Sequence, residues 1–211
     1  MQQGKILLLG AGGHARACID VVELENNFEI AGIIGQPVEV GTTILGYTVL
    51  GDDSDLPMLL AEYPRALITV GQIKTPNNRI RLYKNLVAHG CELPRILSPL
   101  AYVSPHARVG AGTIVMHGAI INAGSDIGCN CIINSNALVE HDVVISDHCH
   151  VSTSATINGG TKIGVGTFIG SGAKIRQGIV IGEYCVIGMG QIVISDCENG
   201  SSLPKKEMAA S

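Results

Sequence analysis

Residues 157–175 read INGGTKIGVGTFIGSGAKI, with isoleucine at every sixth position. The same spacing of isoleucine or valine runs without interruption from Val103 to Val193. A small residue usually stands four positions after each aliphatic one, as Ala119 and Ala137 do. Six residues span three strand periods, so the aliphatic side chains all point to one side of an extended chain. On a helix, residues six apart would face opposite sides.

This repeat predicts a parallel β-helix. Each hexad supplies one large and one small inward side chain and then a turn, which describes one flat side of a prism. Three hexads make a coil, so residues 103–194 supply roughly five coils. Glycine and asparagine near the corners provide the unusual backbone angles that such turns require.

The N-terminal half has the pattern of a small open α/β sheet. Residues 5–9, KILLL, predict a buried parallel strand, and a Gly-rich turn and a helix over 15–24 follow it. The further predicted elements are strands at 29–34 and 66–70 and helices at 56–63 and 77–90. We therefore expect a Rossmann-like domain over residues 1–98, a β-helix domain over 99–198 and a C-terminal tail over 199–211.

The Gly-rich turn between strand and helix is a candidate phosphate site. Such a turn lets a phosphate approach backbone N–H groups at the positive end of a helix. The glycines do not complete the motif G-x-G-x-x-G, because Ala15 takes the third place, so a tight turn without a ligand remains an alternative. Ligands on open sheets bind at the carboxyl ends of the strands, which here lie near Gly12, Gly35 and Gly71.

Composition narrows the class of protein. The 211 residues carry a formal net charge of −4, which argues against a nucleic-acid surface. No apolar run is long enough for a membrane span, and the start of the chain leaves no room for a signal peptide before the first strand. The seven cysteines are odd in number and scattered, which favours reduced thiols and a cytoplasmic protein.

Most turns of the repeat carry short or neutral residues between the aliphatic positions, but residues 139–150 also carry three histidines. His141 takes the third place of its hexad, at a corner that should point outward, and Asp142 follows it. A neutral imidazole can take a proton from an amine or hydroxyl, and a carboxylate can fix its tautomer. Solvated loop histidines are the alternative. Zinc binding by His148, Cys149 and His150 is disfavoured, because consecutive residues on extended chain point in alternating directions.

With GAGGHAR at 10–16, NSNALVEHD at 134–142 and the hexad repeat, the chain resembles the hexapeptide-repeat sugar acetyltransferases of sialic-acid, bacillosamine and perosamine pathways. The resemblance covers nearly the whole chain and implies a left-handed β-helix and a homotrimer with active sites between neighbouring prisms. It also implies acetyl transfer from acetyl-CoA to a nucleotide-linked amino sugar, without a metal. Transfer to a hydroxyl of a sialic-acid-type sugar and a non-catalytic scaffold remain alternatives.

The resemblance also implies roles for individual residues. His141 matches the general base, and Asp142 matches the acidic neighbour that tunes it. Positions along the acetyl-CoA cleft are matched by His150, Ser171 and Met189. Positions that hold the nucleotide sugar are matched by Gly12, Gly13, His14, Gly71 and Asn134. Gly35 and Gln36 stand where some members carry an Asp pair. The end of the chain, residues 201–211, departs from the usual family end, which would cover the coenzyme, and Leu203-Pro204-Lys205 resembles a remnant of that end.

Overall fold

The first part of the chain forms a five-stranded sheet between two layers of helix. The computed structural model describes residues 4–204, so residues 205–211 of the expected tail lie outside the described residues. The elements in chain order are β1 (Gly4–Leu9), α1 (Gly13–Glu25), β2 (Phe28–Ile34), a 3-10 turn (Pro37–Glu39), β3 (Thr43–Ile44), β4 (Tyr47–Gly51), α2 (Leu56–Glu62), β5 (Ala66–Ile68) and α3 (Asn77–Ala88).

The sheet has the order β3-β4-β2-β1-β5 and is parallel except for the β3–β4 hairpin. Alternate residues of β1 face opposite layers: Ile6 and Leu8 pack with α1, whereas Leu7 and Leu9 pack with α2 and α3. The α/β prediction is confirmed. The hairpin was not predicted, because its strands are short and turn at Leu45 and Gly46, both with positive φ.

The second part of the chain is a prism of three parallel sheets. Sheet I holds β7 (Tyr102–Val103), β10 (Ile120–Ile121), β13 (Leu138–Val139), β16 (Thr156–Ile157), β19 (Lys174–Ile175) and β22 (Ile192–Val193). Sheet II holds β8 (Arg108–Val109), β11 (Asp126–Ile127), β14 (Val144–Ile145), β17 (Lys162–Ile163) and β20 (Val180–Ile181). Sheet III holds β6 (Ile96–Leu97), β9 (Ile114–Val115), β12 (Ile132–Ile133), β15 (His150–Val151), β18 (Phe168–Ile169), β21 (Val186–Ile187) and β23 (Ser202–Leu203).

Neighbouring strands of each sheet pair in a register of 18 residues, as Ile120 does with Leu138, except that the last pair, β21 with β23, is 16 residues apart. The chain visits the sheets in the order I, II, III, and the second residue of each strand points into a continuous apolar core. The prediction of a left-handed parallel β-helix is confirmed. Its first strand, Ile96–Leu97, comes before residue 99, and Ser202–Leu203 of the expected tail pairs with β21.

Two kinds of glycine make the coils possible. At every sixth residue from Gly112 to Gly190, the backbone has positive φ, and glycine takes most of these corner places. Glycine is required at residue 110 for a different reason, because a Cβ there would lie 2.6 Å from the carbonyl carbon of Gly128 in the next coil. The glycines that follow the aliphatic positions therefore permit close stacking of coils, which corner geometry alone does not explain.

The α/β domain packs on the outer face of sheet III. Ile96, Ile114 and Ile132 are outward residues of that sheet, and they share a buried cluster with Cys18 and Ile19 of α1. The next outward positions along the same column are His150 and Phe168. This packing places the carboxyl end of the α/β sheet beside the middle coils.

Two further features of residues 4–204 bear on the sequence analysis. No helix there has the length and apolar character needed to cross a bilayer. All seven cysteines lie in this range and are unpaired. Cys131, Cys149 and Cys185 are buried as the small inward residues of the coils.

Replacement of Ile133 by alanine should test the coil core. Ile133 is fully buried, so Ile133→Ala removes inward methyl groups and leaves a cavity between coils. We expect a loss of about 2–5 kcal/mol in the free energy of unfolding, measured by urea denaturation. Ile194→Ala, at a residue with 65% exposure, is the control and should change stability little. Equal effects of the two substitutions would contradict the proposed packing.

Candidate active site

A cavity of about 1020 Å³ opens at the carboxyl ends of β1, β2 and β5. The six residues of the α/β domain that the sequence analysis selected all line it: Gly12, Gly13, His14, Gly35, Gln36 and Gly71. The parallel strands of an open sheet end at one edge, which is why residues far apart in sequence meet there. The cavity is large enough for a nucleotide.

The wall nearest β1 is the start of α1. Gly12 is the N-cap, has no side chain to cap the helix, and the first turn carries no acidic residue. A Cβ on Gly12 or Gly13 would meet no atom within 4 Å, so both glycines border open space. The backbone N–H groups of this turn are therefore available to an anion, and the helix dipole favours negative charge at this end.

His14 lies at the inner end of the cavity. Its ring centroid is 6.5 Å from that of His150, and a Cβ on Gly71 would lie 3.6 Å from the His14 Cβ. Burial, with smaller contributions from Arg79 and His150, lowers the pKa of His14 to about 3. The ring is therefore neutral near pH 7. Its buried Nε2 atom has no hydrogen-bond partner within residues 4–204.

His150 joins the cavity to the β-helix. Its Nδ1 lies 2.6 Å from the carbonyl oxygen of Gln72, which only accepts hydrogen bonds, so Nδ1 carries the proton. Its Nε2 is then the acceptor for Asn134 Nδ2 at 3.2 Å, and Phe168 packs edge-on against the ring. Burial lowers the pKa of His150 to about 4. His150 is thus a neutral imidazole with a fixed tautomer, enclosed at the domain junction.

Arg79 fixes the loop that carries Gly71 and Gln72. Its buried guanidinium donates to the carbonyl oxygens of Ile68 and Val70 at 2.9 and 2.7 Å. The other arm donates to the carbonyl and side-chain oxygens of Asn130, at a corner of the β-helix, at 3.1 and 2.7 Å. Burial lowers the pKa of Arg79 to about 10, so the group stays charged near pH 7. The sequence analysis missed Arg79, because an arginine in an amphipathic helix usually faces solvent.

A second polar link between the domains was also missed. His117 Nε2 lies 2.8 Å from Asp20 Oδ2 of α1, and His117 Nδ1 lies 2.6 Å from Ser98 Oγ. The three residue types are those of a hydrolytic triad. Ser98, however, is only 3% exposed and its Oγ accepts the N–H of Leu100 at 3.0 Å. This arrangement holds α1 against the first coils and presents no accessible nucleophile.

His141 and Asp142 occupy a corner between sheets I and II. His141 Nδ1 lies 2.9 Å from Asp142 Oδ2, and the two side chains are 67% and 71% exposed. Asp142 adopts a φ of 58°, which aspartate tolerates. Glycines make room for both side chains: Asp142 lies against Gly124, and a Cβ on Gly159 would lie 2.7 Å from His141 Nε2. The hydrogen bond to Asp142 raises the pKa of His141.

The structure divides the candidate residues into separate groups. His150 and Asn134 lie on sheet III beside His14 and Gly71, whereas His141 lies at the corner opposite sheet III. Ser171 and Met189 lie at a third place, the corner between sheets III and I. Ser171 Oγ is 2.9 Å from Ser152 Oγ, and Met189 is 79% exposed. A single chain therefore does not bring His141 to the cavity.

Metal ligands are not grouped in the part of the chain that the structure describes. Residues 4–204 contain no set of three or more histidine, cysteine or carboxylate side chains placed to hold a metal ion. His148 Nδ1 accepts a hydrogen bond from Asn130 Nδ2 at 2.9 Å, and the ring packs edge-on against Tyr83. It therefore supports the domain junction.

Comparisons with known proteins agree with this architecture. A family model described as the PglD N-terminal domain matches residues 5–86. The chain is similar to perosamine N-acetyltransferase from Caulobacter crescentus, solved as a histidine-to-asparagine mutant with CoA and GDP-perosamine, at 33% identity, with 94% and 92% of the two chains covered and a TM-score of 0.88. It is also similar to the acetyltransferase domain of PglB from Neisseria gonorrhoeae, solved with acetyl coenzyme A, at 28% identity, with 95% and 96% covered and a TM-score of 0.84.

One curated relative is an uncharacterized protein of Acanthamoeba polyphaga mimivirus, 33% identical over 110 residues. The match covers 52% of this chain, and the chain spans 21% of the length of that protein. This relative therefore matches only part of the fold described above.

Substitution of Asp142 should test the electrostatics of the exposed pair. Asp142→Asn keeps a side chain that tolerates positive φ but removes the negative charge that stabilises the imidazolium. We expect the pKa of His141 to fall, as measured by NMR titration of the histidine side chains. Glu140→Gln, which removes a weaker and more distant charge, should lower it less. An unchanged His141 pKa in Asp142→Asn would contradict the pairing.

Proposed function

Because the chain belongs to the hexapeptide-repeat sugar acetyltransferases, we propose that it transfers the acetyl group of acetyl-CoA to the amino group of a nucleotide-linked sugar. The observation that carries this proposal is the outward pair of His141 and Asp142, 2.9 Å apart, on a corner of the prism. The similar structures named above contain CoA with GDP-perosamine in one case and acetyl coenzyme A in the other. Their ligands motivate both substrates of the proposal.

His141 is the general base in this scheme. Asp142 accepts the Nδ1–H of the imidazole, which leaves the Nε2 lone pair free to take a proton. As the sugar nitrogen attacks the thioester carbonyl carbon, the carbon–sulfur bond breaks and the amine proton passes to His141 Nε2. The leaving sulfur takes up the proton that His141 received and becomes the CoA thiol, and the acetylated nitrogen becomes an amide. Asp142 stabilises the imidazolium while it carries the proton.

The cavity of the α/β domain is the proposed site for the nucleotide. The free N–H groups at Gly12 and Gly13 suit a diphosphate, which is an anion at a positive helix end. His14 is neutral and has an unpaired Nε2, so it provides a polar contact without opposing charge. Gly71 and Asn134 lie on the path from the cavity to the β-helix. Residues 1–98 would thus bind the nucleotide sugar, and residues 99–198 would carry the transfer.

The corner between sheets III and I is the proposed path of acetyl-CoA. Its column of corner residues, Ser135, Thr153, Ser171 and Met189, is small or flexible. Small side chains leave a narrow trough along the prism, which fits an extended pantetheine arm. Met189 is largely exposed and supplies an adaptable apolar contact at one end of the trough. His150 would contribute from sheet III, where its position is fixed by Gln72 and Asn134.

The separation of His141 from the cavity supports a homotrimer. His141 points away from the α/β domain of its own chain, so a sugar held in one cavity requires the His141 of a neighbouring chain. Sheets I and II, which flank that corner, expose apolar side chains that include Tyr102, Ile120 and Val144. Exposed apolar patches of this kind favour association between copies.

Loss of His141 should abolish most of the catalytic rate. We expect His141→Ala to lower kcat by about 10²–10⁴-fold in a thiol-release assay with acetyl-CoA and amino sugars linked to UDP, GDP or dTDP. His106→Ala, at an equivalent corner of the first coil, is the matched control and should retain the wild-type rate. An unchanged rate in His141→Ala would remove the general-base role. Turnover of hydroxyl acceptors alone would instead support O-acetylation.

The oligomeric state can be measured directly. We expect sedimentation equilibrium to give a mass of about 66 kDa, three times the 22.0 kDa of one chain. Val144→Lys would place a charge on sheet II and should shift the protein towards smaller species, with loss of turnover but not of nucleotide binding. A wild-type monomer with full turnover would contradict a site shared by two chains.

A further inference from the structure

The cavity contains a carboxylate that the sequence analysis did not select, and its position bears on the sugar of the nucleotide itself. In nucleotide-binding α/β domains, an acidic residue at the end of the second strand, about 20 residues after the Gly-rich turn, accepts hydrogen bonds from ribose hydroxyls. That place is held here by Gly35 and Gln36, neither of which is acidic. The inference below rests on the proposed function and concerns how the same cavity recognises its nucleotide.

Glu39 brings a carboxylate back to this place. The 3-10 turn Pro37–Glu39 reverses the chain after β2, and Glu39 Oε2 accepts the backbone N–H of Gln36 at 2.7 Å. A Cβ built on Gly35 would lie 2.8 Å from Glu39 Oε2 and 3.2 Å from the Cβ of Ala11. The carboxylate of Glu39 therefore fills the space that a side chain at residue 35 would occupy, next to the Gly-rich turn.

Two other carboxylates line the cavity, and each engages one of its oxygens. Asp52 Oδ1 accepts both the N–H and the hydroxyl of Ser54, at 2.8 and 2.6 Å. Asp53 Oδ2 pairs with Arg81 at 2.9 Å. Glu39 is half-buried and also lines the cavity, and its Oε2 accepts the N–H of Gln36. It differs from the two aspartates in its place, because its carboxylate lies beside Gly35, next to the Gly-rich turn.

We propose that Glu39 Oε1 accepts a hydrogen bond from the ribose hydroxyls of a bound nucleotide and so selects ribonucleotides over deoxyribonucleotides. A diphosphate at Gly12 and Gly13 would place its ribose next to Ala11 and Gly35. A side chain at residue 35 would displace the Glu39 carboxylate, which is one reason for glycine there besides its closeness to Val49. A hydroxyl is a good donor to a carboxylate, and the bond is charge-assisted.

The test measures binding rather than acetyl transfer. The dissociation constants of ADP, CDP, GDP and UDP, and of the 2′,3′-dideoxy form of each, are measured by calorimetry on the wild type, Glu39→Gln and Glu29→Gln. In Glu39→Gln the amide oxygen can still accept the Gln36 N–H, while the amide nitrogen replaces the Oε1 acceptor. Glu29→Gln removes one charge at the opposite end of β2 and serves as the matched control.

We expect Glu39→Gln to weaken binding of the preferred ribonucleotide by about 10- to 100-fold, the usual range for a hydrogen bond to a charged group. Binding of its dideoxy form should be weaker in the wild type and unchanged by the substitution, and Glu29→Gln should match the wild type throughout. Equal weakening of both forms would show that Glu39 only caps the turn, and equal wild-type affinity for both would show no ribose contact. Either result overturns the inference and leaves the proposed function standing, whereas a wild type that binds no nucleotide overturns both.

Discussion

The 18-residue register of the coils is the constraint on which the rest of the structure depends. Parallel strands pair residue for residue with the next coil, so each side chain stacks on its equivalents and forms a column along the prism. His150 lies in an outward column between Ile132 and Phe168, while His141 and Asp142 lie in a corner column where Gly124 and Gly159 leave room for them. A shift of one residue would turn every inward side chain outward.

The α/β domain is joined to this regular scaffold by a buried charge. Burial of a guanidinium costs free energy unless its donors are satisfied. Arg79 offsets most of this cost with four oxygens from two domains and no carboxylate, while its Nε has no hydrogen-bond partner within residues 4–204. Its contacts therefore depend on the relative positions of both domains. Because Val70 precedes Gly71 and Gln72, the same contacts fix the loop that orients His150. The geometry of the cavity and that of the coils are therefore coupled through one side chain.

The regular parts of the chain were predictable because their signals are periodic. The hexads predict the coils over nearly their full length, and the outward position and carboxylate neighbour of His141 follow from its place in a hexad. The β3–β4 hairpin lacks such periodicity and depends on two residues with positive φ. Glu39 was missed because its importance lies in its closeness to Gly35 after the 3-10 turn Pro37–Glu39 has reversed the chain.

The sequence by itself determined the prism, the α/β domain and the identity of most candidate residues, because local period and strand–turn–helix order are properties of neighbouring residues. Only the tertiary structure decided which candidates share a site. It placed His150 of sheet III beside His14 of α1 and set His141 at the opposite corner, and it showed that Arg79 and Gln72 support the junction next to the cavity. The physical reason is that these contacts join segments tens of residues apart, and packing between the domains fixes their distances. A pattern of neighbouring residues in the sequence contains no information about that packing.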